Sequence, residues 1–161
     1  MADIKIAYGT TGQVFTITLA SLASSATAAR ESTVIDNSSN KYLDALVFLK
    51  VKTSASALAN DKAVYIYAYG TVDNTIYTEA ATGSDAAITL ATTTNLPIIG
   101  TIWTPAVSTT YNGGPFSVAR AFGGVLPNKW GIVIRNYTGQ NLDATGGSHS
   151  AMWQGVYNTV A

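Results

Sequence analysis

The sequence predicts an all-β fold, one antiparallel β-sandwich of the jelly-roll kind spanning residues 1–161, and three observations predict it. Apolar and polar residues alternate at period two in many short runs, most clearly between Tyr42 and Gly70. Clusters of Gly, Asn, Asp, Ser and Pro punctuate these runs roughly every 8 to 15 residues. No stretch carries the apolar spacing of a convincing amphipathic helix. Counting runs gives roughly eight to ten strands, a number and length that suit an eight-stranded jelly roll.

Taken in order, Ile4, Ile6 and Tyr8 alternate with Lys5 and Ala7, and Gly9-Thr-Thr-Gly12 supplies turn residues before Val14 to Leu19 alternates again. Residues 1–12 therefore read as a hairpin, or as a free arm followed by a strand. Ala20 to Ala29 is rich in Ala and Ser with Leu22 as its only large apolar residue, which favours a surface loop. Arg30 to Ile35 begins another strand, closed by Asp36-Asn-Ser-Ser-Asn40, whose side chains satisfy turns locally. In the next run Leu43, Ala45, Val47, Leu49 and Val51 share one face, with Asp44, Lys50 and Lys52 on the other. After the turn-rich Ser54 to Asp61, Ala63, Tyr65, Tyr67 and Tyr69 alternate with Val64, Ile66 and Ala68, so these two runs are expected to pair with each other.

Asp73-Asn74 marks a tight turn, Ala81 to Asp85 a second break, and Ile88-Thr-Leu90 a short strand. Leu96 to Thr104 reads as an edge strand, because Pro97 cannot donate to a ladder. Tyr111-Asn-Gly-Gly-Pro115 reads as a loop. Trp130-Gly-Ile-Val-Ile-Arg-Asn136 is apolar on both alternations, as in a strand buried on two faces. Ala151 to Val160 closes the chain, with Gly155 marking a bulge or a close backbone approach.

Composition excludes several functional classes. Charged residues form 11% of the chain, against roughly 25% in an ordinary soluble protein. Thr, Ser, Asn and Gly must therefore cover the surface, as suits a component of an assembly. Nine basic residues balance nine acidic ones and never cluster, so nothing here can neutralise a run of phosphates and no nucleic-acid partner is expected. No apolar stretch is long enough to span a membrane. The opening Met-Ala-Asp-Ile-Lys-Ile lacks the charged and apolar regions of a signal peptide, which places synthesis in the cytoplasm. With no cysteine, disulfides and thiolate metal sites are impossible.

No residue pattern announces a reaction, and no cofactor or metal site is expected. His149, in Gly-Gly-Ser-His-Ser, is the one imidazole and reads as a solvated loop residue. Asp36, Asp44, Asp61, Asp73, Asp85 and Asp143 stand mostly at turns, where Asp serves local hydrogen bonding. Asn37-Ser-Ser39 and Asn136-Tyr-Thr138 match the glycosylation sequon without a secretion signal. Nine tyrosines and three tryptophans are the functional lead. Tyr65, Tyr67 and Tyr69 share one strand face, which either lines the core or meets a second protein. The alternating Ile4, Ile6 and Tyr8 could extend a neighbour's sheet by strand addition.

Several segments taken together carry a family resemblance: Leu19-Ala-Ser-Leu22, Arg30-Glu-Ser32, Asp36-Asn37, Tyr42-Leu-Asp-Ala45, Gly123-Gly-Val-Leu-Pro127, Trp130-Gly-Ile-Val133 and Asn136-Tyr-Thr-Gly139. They resemble the small virion proteins of tailed bacteriophages, in particular jelly-roll capsid decoration or cement proteins. The resemblance implies a non-enzymatic structural protein made in the host bacterial cytoplasm. It implies a place on the outer capsid surface, self-association as a homotrimer, and the major capsid protein as partner. The alternative is a carbohydrate-binding or adhesion module of a head fibre or tail, with Trp103 and Trp153 as sugar platforms.

Overall fold

The computed structural model describes residues 3–160. Its strands are β1 (Ile4–Tyr8), β2 (Gln13–Val14), β3 (Ala28–Glu31), β4 (Ile35–Asp36), β5 (Asp44–Lys52), β6 (Ala63–Thr71), β7 (Ala86–Thr89), β8 (Ile98–Trp103), β9 (Thr110–Ser117), β10 (Lys129–Tyr137) and β11 (Ser150–Val160). They form two antiparallel sheets that pack as a β-sandwich. The first sheet runs β1-β11-β5-β9, with β2 also on β11; the second runs β7-β3-β10-β6-β8, with β4 also on β10.

The register reveals one rule behind this order. Ile4 pairs with Val160 and Val14 with Met152; Glu31 pairs with Val133 and Asp36 with Lys129; Val47 pairs with Phe116 and Val64 with Ile102. Each step inward from the N-terminus meets a step inward from the C-terminus. The chain is one long hairpin, bent so that successive parts of the doubled ribbon fall in opposite sheets. Its closed end is the segment between Thr71 and Ile98.

The pairing expected between the two runs of Tyr42–Gly70 does not occur. β11 and β9 occupy the two edges of β5, and β10 and β8 occupy those of β6. The two strands face one another across the core instead, because each presents an apolar face. Ala45, Val47, Leu49 and Val51 of β5 are fully buried, as are Val64, Ile66 and Ala68 of β6. They join Trp130, Ile132 and Ile134 of β10 in one cluster, which Phe15 and Leu19 help to fill as the chain passes from β2 to β3. Leu43, expected on that inner face, precedes β5 and is 41% exposed.

The N-terminus is neither a hairpin nor a free arm. β1 and β2 do not pair with each other; both run along the same edge of β11, and Gly9 N–H donates to the Gly155 carbonyl between them. Nor is Tyr111–Pro115 a loop. It lies within β9, where the register with β5 shifts between Val47 and Leu49 to absorb one extra residue. Gly114 makes this possible, since it adopts φ of 117° and a Cβ there would collide with the Val47 carbonyl. The edge-strand reading of Leu96–Thr104 holds, as β8 ends the second sheet.

The closed end of the hairpin folds back as a third layer. Ala81, Ile88, Leu90 and Leu96 cover Ala29, Tyr67, Tyr69 and Val133 on the outer face of the second sheet. Buried Glu31 anchors it by accepting from the Thr82 and Gly83 N–H groups and from the Thr82 hydroxyl. Asp85 anchors it again, accepting from Arg30 Nε at 2.6 Å and from Thr18 N–H and Oγ1. A Glu31→Gln substitution turns an amide donor towards these N–H groups. It should lower the unfolding free energy by about 1–3 kcal/mol, read by thermal melting; an unchanged melting temperature would contradict the anchoring role.

Candidate functional site

A group of exposed apolar side chains lies at one end of the first sheet. β11 pairs with β5 only as far as Val156, and beyond that point its sole partner among the described residues is β1. Residues 4–8 and 156–160 thus form a two-stranded ribbon that projects past the sandwich. Directly opposed residues in an antiparallel pair share a face, so Ile4 with Val160, Ile6 with Asn158 and Tyr8 with Val156 line one side. Ile4 is 73% exposed, Ile6 69%, Tyr8 58% and Val160 69%. These side chains stand together on one face of the ribbon and are not scattered over the surface. The same face continues onto the outer side of the first sheet through Met152, opposite Val14 and Phe48. The outer edge of β1 has no strand beside it among the described residues, so its N–H and C=O groups are free to pair.

The structure brings Ile4, Ile6 and Tyr8 together and separates them from the tyrosine stripe. Tyr67 and Tyr69 are not available to a partner: they are buried under the third layer. The Tyr69 ring packs edge-on to Tyr77 at 5.7 Å, and its hydroxyl donates to the Ser32 carbonyl at 2.6 Å. Tyr69 also lies flat over Gly131, where a Cβ would collide with the ring. Tyr65, at the margin of the stripe, stays partly exposed. Its hydroxyl donates to Asp61, and the Arg135 guanidinium stacks 4.6 Å from its ring centre. Burial, with Asp61 beside it, pushes the Tyr65 hydroxyl up to about 12.

Trp103 and Trp153 do not make a sugar platform. Trp103 is exposed at the end of β8 in the second sheet, whereas Trp153 is buried on the inner face of the first. Trp153 packs edge-on against Trp130 at 5.5 Å and Tyr42 at 6.0 Å, as part of the core.

A groove opens at the root of the ribbon, lined by Tyr8, Gly9, Thr10, Asn40, Tyr42 and Tyr157, with a volume of about 570 Å³. Its members come from the start, the first third and the end of the chain, so no local motif announces them. The one available signal is glycine: a Cβ at Gly9 would stand 2.6 Å from the Tyr42 hydroxyl, and one at Gly155 would collide with the same ring. Gly155 therefore answers not to the expected bulge or backbone approach but to the Tyr42 side chain, with an unbroken register.

The polar residues singled out from sequence are largely occupied in holding loops. His149 accepts from Lys52 N–H through Nδ1, while Nε2 lies 2.9 Å from the Asp143 carbonyl, so both ring nitrogens are engaged. Asn37 brackets Tyr42 by a pair of backbone hydrogen bonds, and Asn136 donates to the Leu22 and Gln140 carbonyls. Both sequon asparagines are buried. Asp73 caps its own turn through the Ile76 and Thr75 N–H groups, which hold its carboxyl well below the usual range. Asp143 accepts from Thr145 N–H and pairs with Lys52 at 3.2 Å, which brings it down to about 2. Burial of Asp85 opposes ionisation, but its bonds from Arg30 and Thr18 outweigh that and hold it low. Among the described residues, no group of three or more His, Asp or Glu side chains converges as a metal site.

Comparison with protein-family models, curated proteins and solved structures finds no match to this chain.

These carboxylates set an acid limit on the fold. Their folded values are depressed, so the stability they contribute is present above the ordinary 3.8 and is lost as pH falls through the folded values, about 2 for Asp143. The melting temperature should hold steady down to roughly pH 4 and fall below it. Asp85→Asn should lower it at neutral pH and flatten part of the acid decline; an identical decline in that variant would count against this assignment.

Proposed function

We propose that this protein is a structural component of a tailed-phage virion, a decoration or cement protein that binds the major capsid protein from outside and stabilises the head. The observation that carries the reading is the bare ribbon. Ile4, Ile6, Tyr8 and Val160 stand in water on one face of it, beside an unpaired strand edge. Strand addition at β1 would supply backbone hydrogen bonds, and closing the ribbon face would bury apolar side chains. Each aliphatic side chain removed from water is worth about 1.5–3 kcal/mol before the costs of association. The nested strand pairing supports the finer reading of the sandwich as a jelly roll. A formal charge of zero lets identical copies pack closely, consistent with a homotrimer. The carboxylates' commitment to the chain's own loops favours a non-enzymatic role.

In this reading each copy clamps adjoining capsid subunits, so opening the shell requires re-exposing the buried ribbon faces. Capsids stripped of the protein should rupture at a lower temperature and regain resistance when it is added back. Ile6→Lys should abolish rebinding while leaving the melting temperature of the free protein unchanged, because Ile6 lies outside the core. Light scattering coupled to size exclusion should give three chain masses. Full rebinding by the Ile6→Lys protein would remove the ribbon from the interface, and undiminished heat resistance of stripped capsids would remove the stabilising role.

A further inference from the structure

We propose that the groove at the root of the ribbon is a binding site for a neutral saccharide. The inference rests on what lines the groove and on what those groups leave unused. The side chains of Tyr8, Thr10, Asn40, Tyr42 and Tyr157 make no hydrogen bond to any described residue, whereas the adjacent Asn37 and Gln154 do, Gln154 Nε2 donating to the Gly9 carbonyl at 2.9 Å. Four hydroxyls and one amide thus converge on a single opening with their hydrogen-bonding capacity unspent.

The Tyr42 wall is held in place before any ligand arrives. Tyr42 is gripped by Asn37 at both its N–H and its carbonyl, and the next residue, Leu43, donates to the Val156 carbonyl at 2.8 Å. The Tyr42 ring is seated over Gly9 and Gly155 and braced edge-on by Trp153, with Tyr157 at 6.0 Å and tilted by 50°. Such a fixed wall reduces the ordering cost of binding.

Chemistry selects the ligand class. No Lys, Arg, Asp, Glu or His lines the groove, so an ionic ligand would leave water without a counter-charge. A purely apolar ligand would strip water from five polar groups and return no hydrogen bonds. A neutral sugar ring offers both required halves: C–H faces that pack on tyrosine rings, and hydroxyls that exchange hydrogen bonds with Asn40, Thr10 and the phenols. The volume of about 570 Å³ lies within the usual span of small-ligand clefts.

This inference stands apart from the capsid reading. Tyr157 and Asn40 belong to the groove and lie off the apolar face of the ribbon, whereas Ile6 belongs to that face and does not line the groove. The test titrates the full chain with maltohexaose, cellohexaose, chitohexaose, laminarihexaose and mannohexaose, read by calorimetry and by tryptophan fluorescence, since Trp153 touches Tyr42. At least one should bind with a Kd below about 1 mM. Tyr157→Ala and Asn40→Ala should each weaken it, the former by about tenfold, with melting temperatures unchanged, and Ile6→Lys should bind as the parent does. Absence of binding across the panel overturns the proposal. So does binding that survives in the Tyr157→Ala, Asn40→Ala double variant, or equal affinity for a sulfated oligosaccharide.

Discussion

The nested pairing of the first half of the chain with the second is the constraint on which every other feature depends. Because Ile4 must meet Val160 and Val64 must meet Ile102, no local hairpin inside the first half can form without breaking a long-range ladder. This places successive parts of the doubled ribbon, such as β5 and β6, in opposite sheets and turns their apolar faces towards one another. It also sets the two chain ends side by side, and that juxtaposition creates both the ribbon and the groove. Such a topology is dominated by contacts between residues distant in sequence, a pattern associated with slow folding.

The bend of the long hairpin poses a second problem. β6 and β10 carry apolar residues on both faces, so the outer face of the second sheet cannot be left in water. Residues between β6 and β8 cover it with Ala81, Ile88, Leu90 and Leu96. Apart from Ile88, which stands on β7 beside β3, that cover lies outside the strands and would drift without specific ties. Glu31 and Asp85 supply them, each spending a carboxylate on backbone N–H groups or on Arg30. Burying Glu31 is tolerable because it accepts several hydrogen bonds at once. The tyrosines beneath serve this layer, which is why Tyr67 and Tyr69 face the chain's own residues.

The low charge of the chain takes on a structural meaning here. Most of its acidic groups fasten loops, and the remaining surface is covered by small hydroxyl side chains with no field to repel a copy or a partner. Against that background the ribbon face and the tyrosine groove stand out. They adjoin through Tyr8, which contributes to both. A protein contact on one and a sugar on the other would make one end of the molecule its working end.

Local chemistry sufficed for the β class, for the two-faced burial of Trp130–Asn136 and for the edge position of Leu96–Thr104. Period-two patterns and proline report directly on what one strand can do. The same information could not say which strands are neighbours, since the faces of β5 and β6 look alike whether the strands pair within a sheet or oppose one another across the core. It could not tell an outward tyrosine face from one roofed by a later segment, and so it leaves Tyr67 and Tyr69 open between the core and a second protein. It also could not anticipate that Trp153 is core, or that Tyr8, Thr10, Asn40, Tyr42 and Tyr157 share an opening. Those facts depend on where the ends of the chain meet, and only the long-range register decides that.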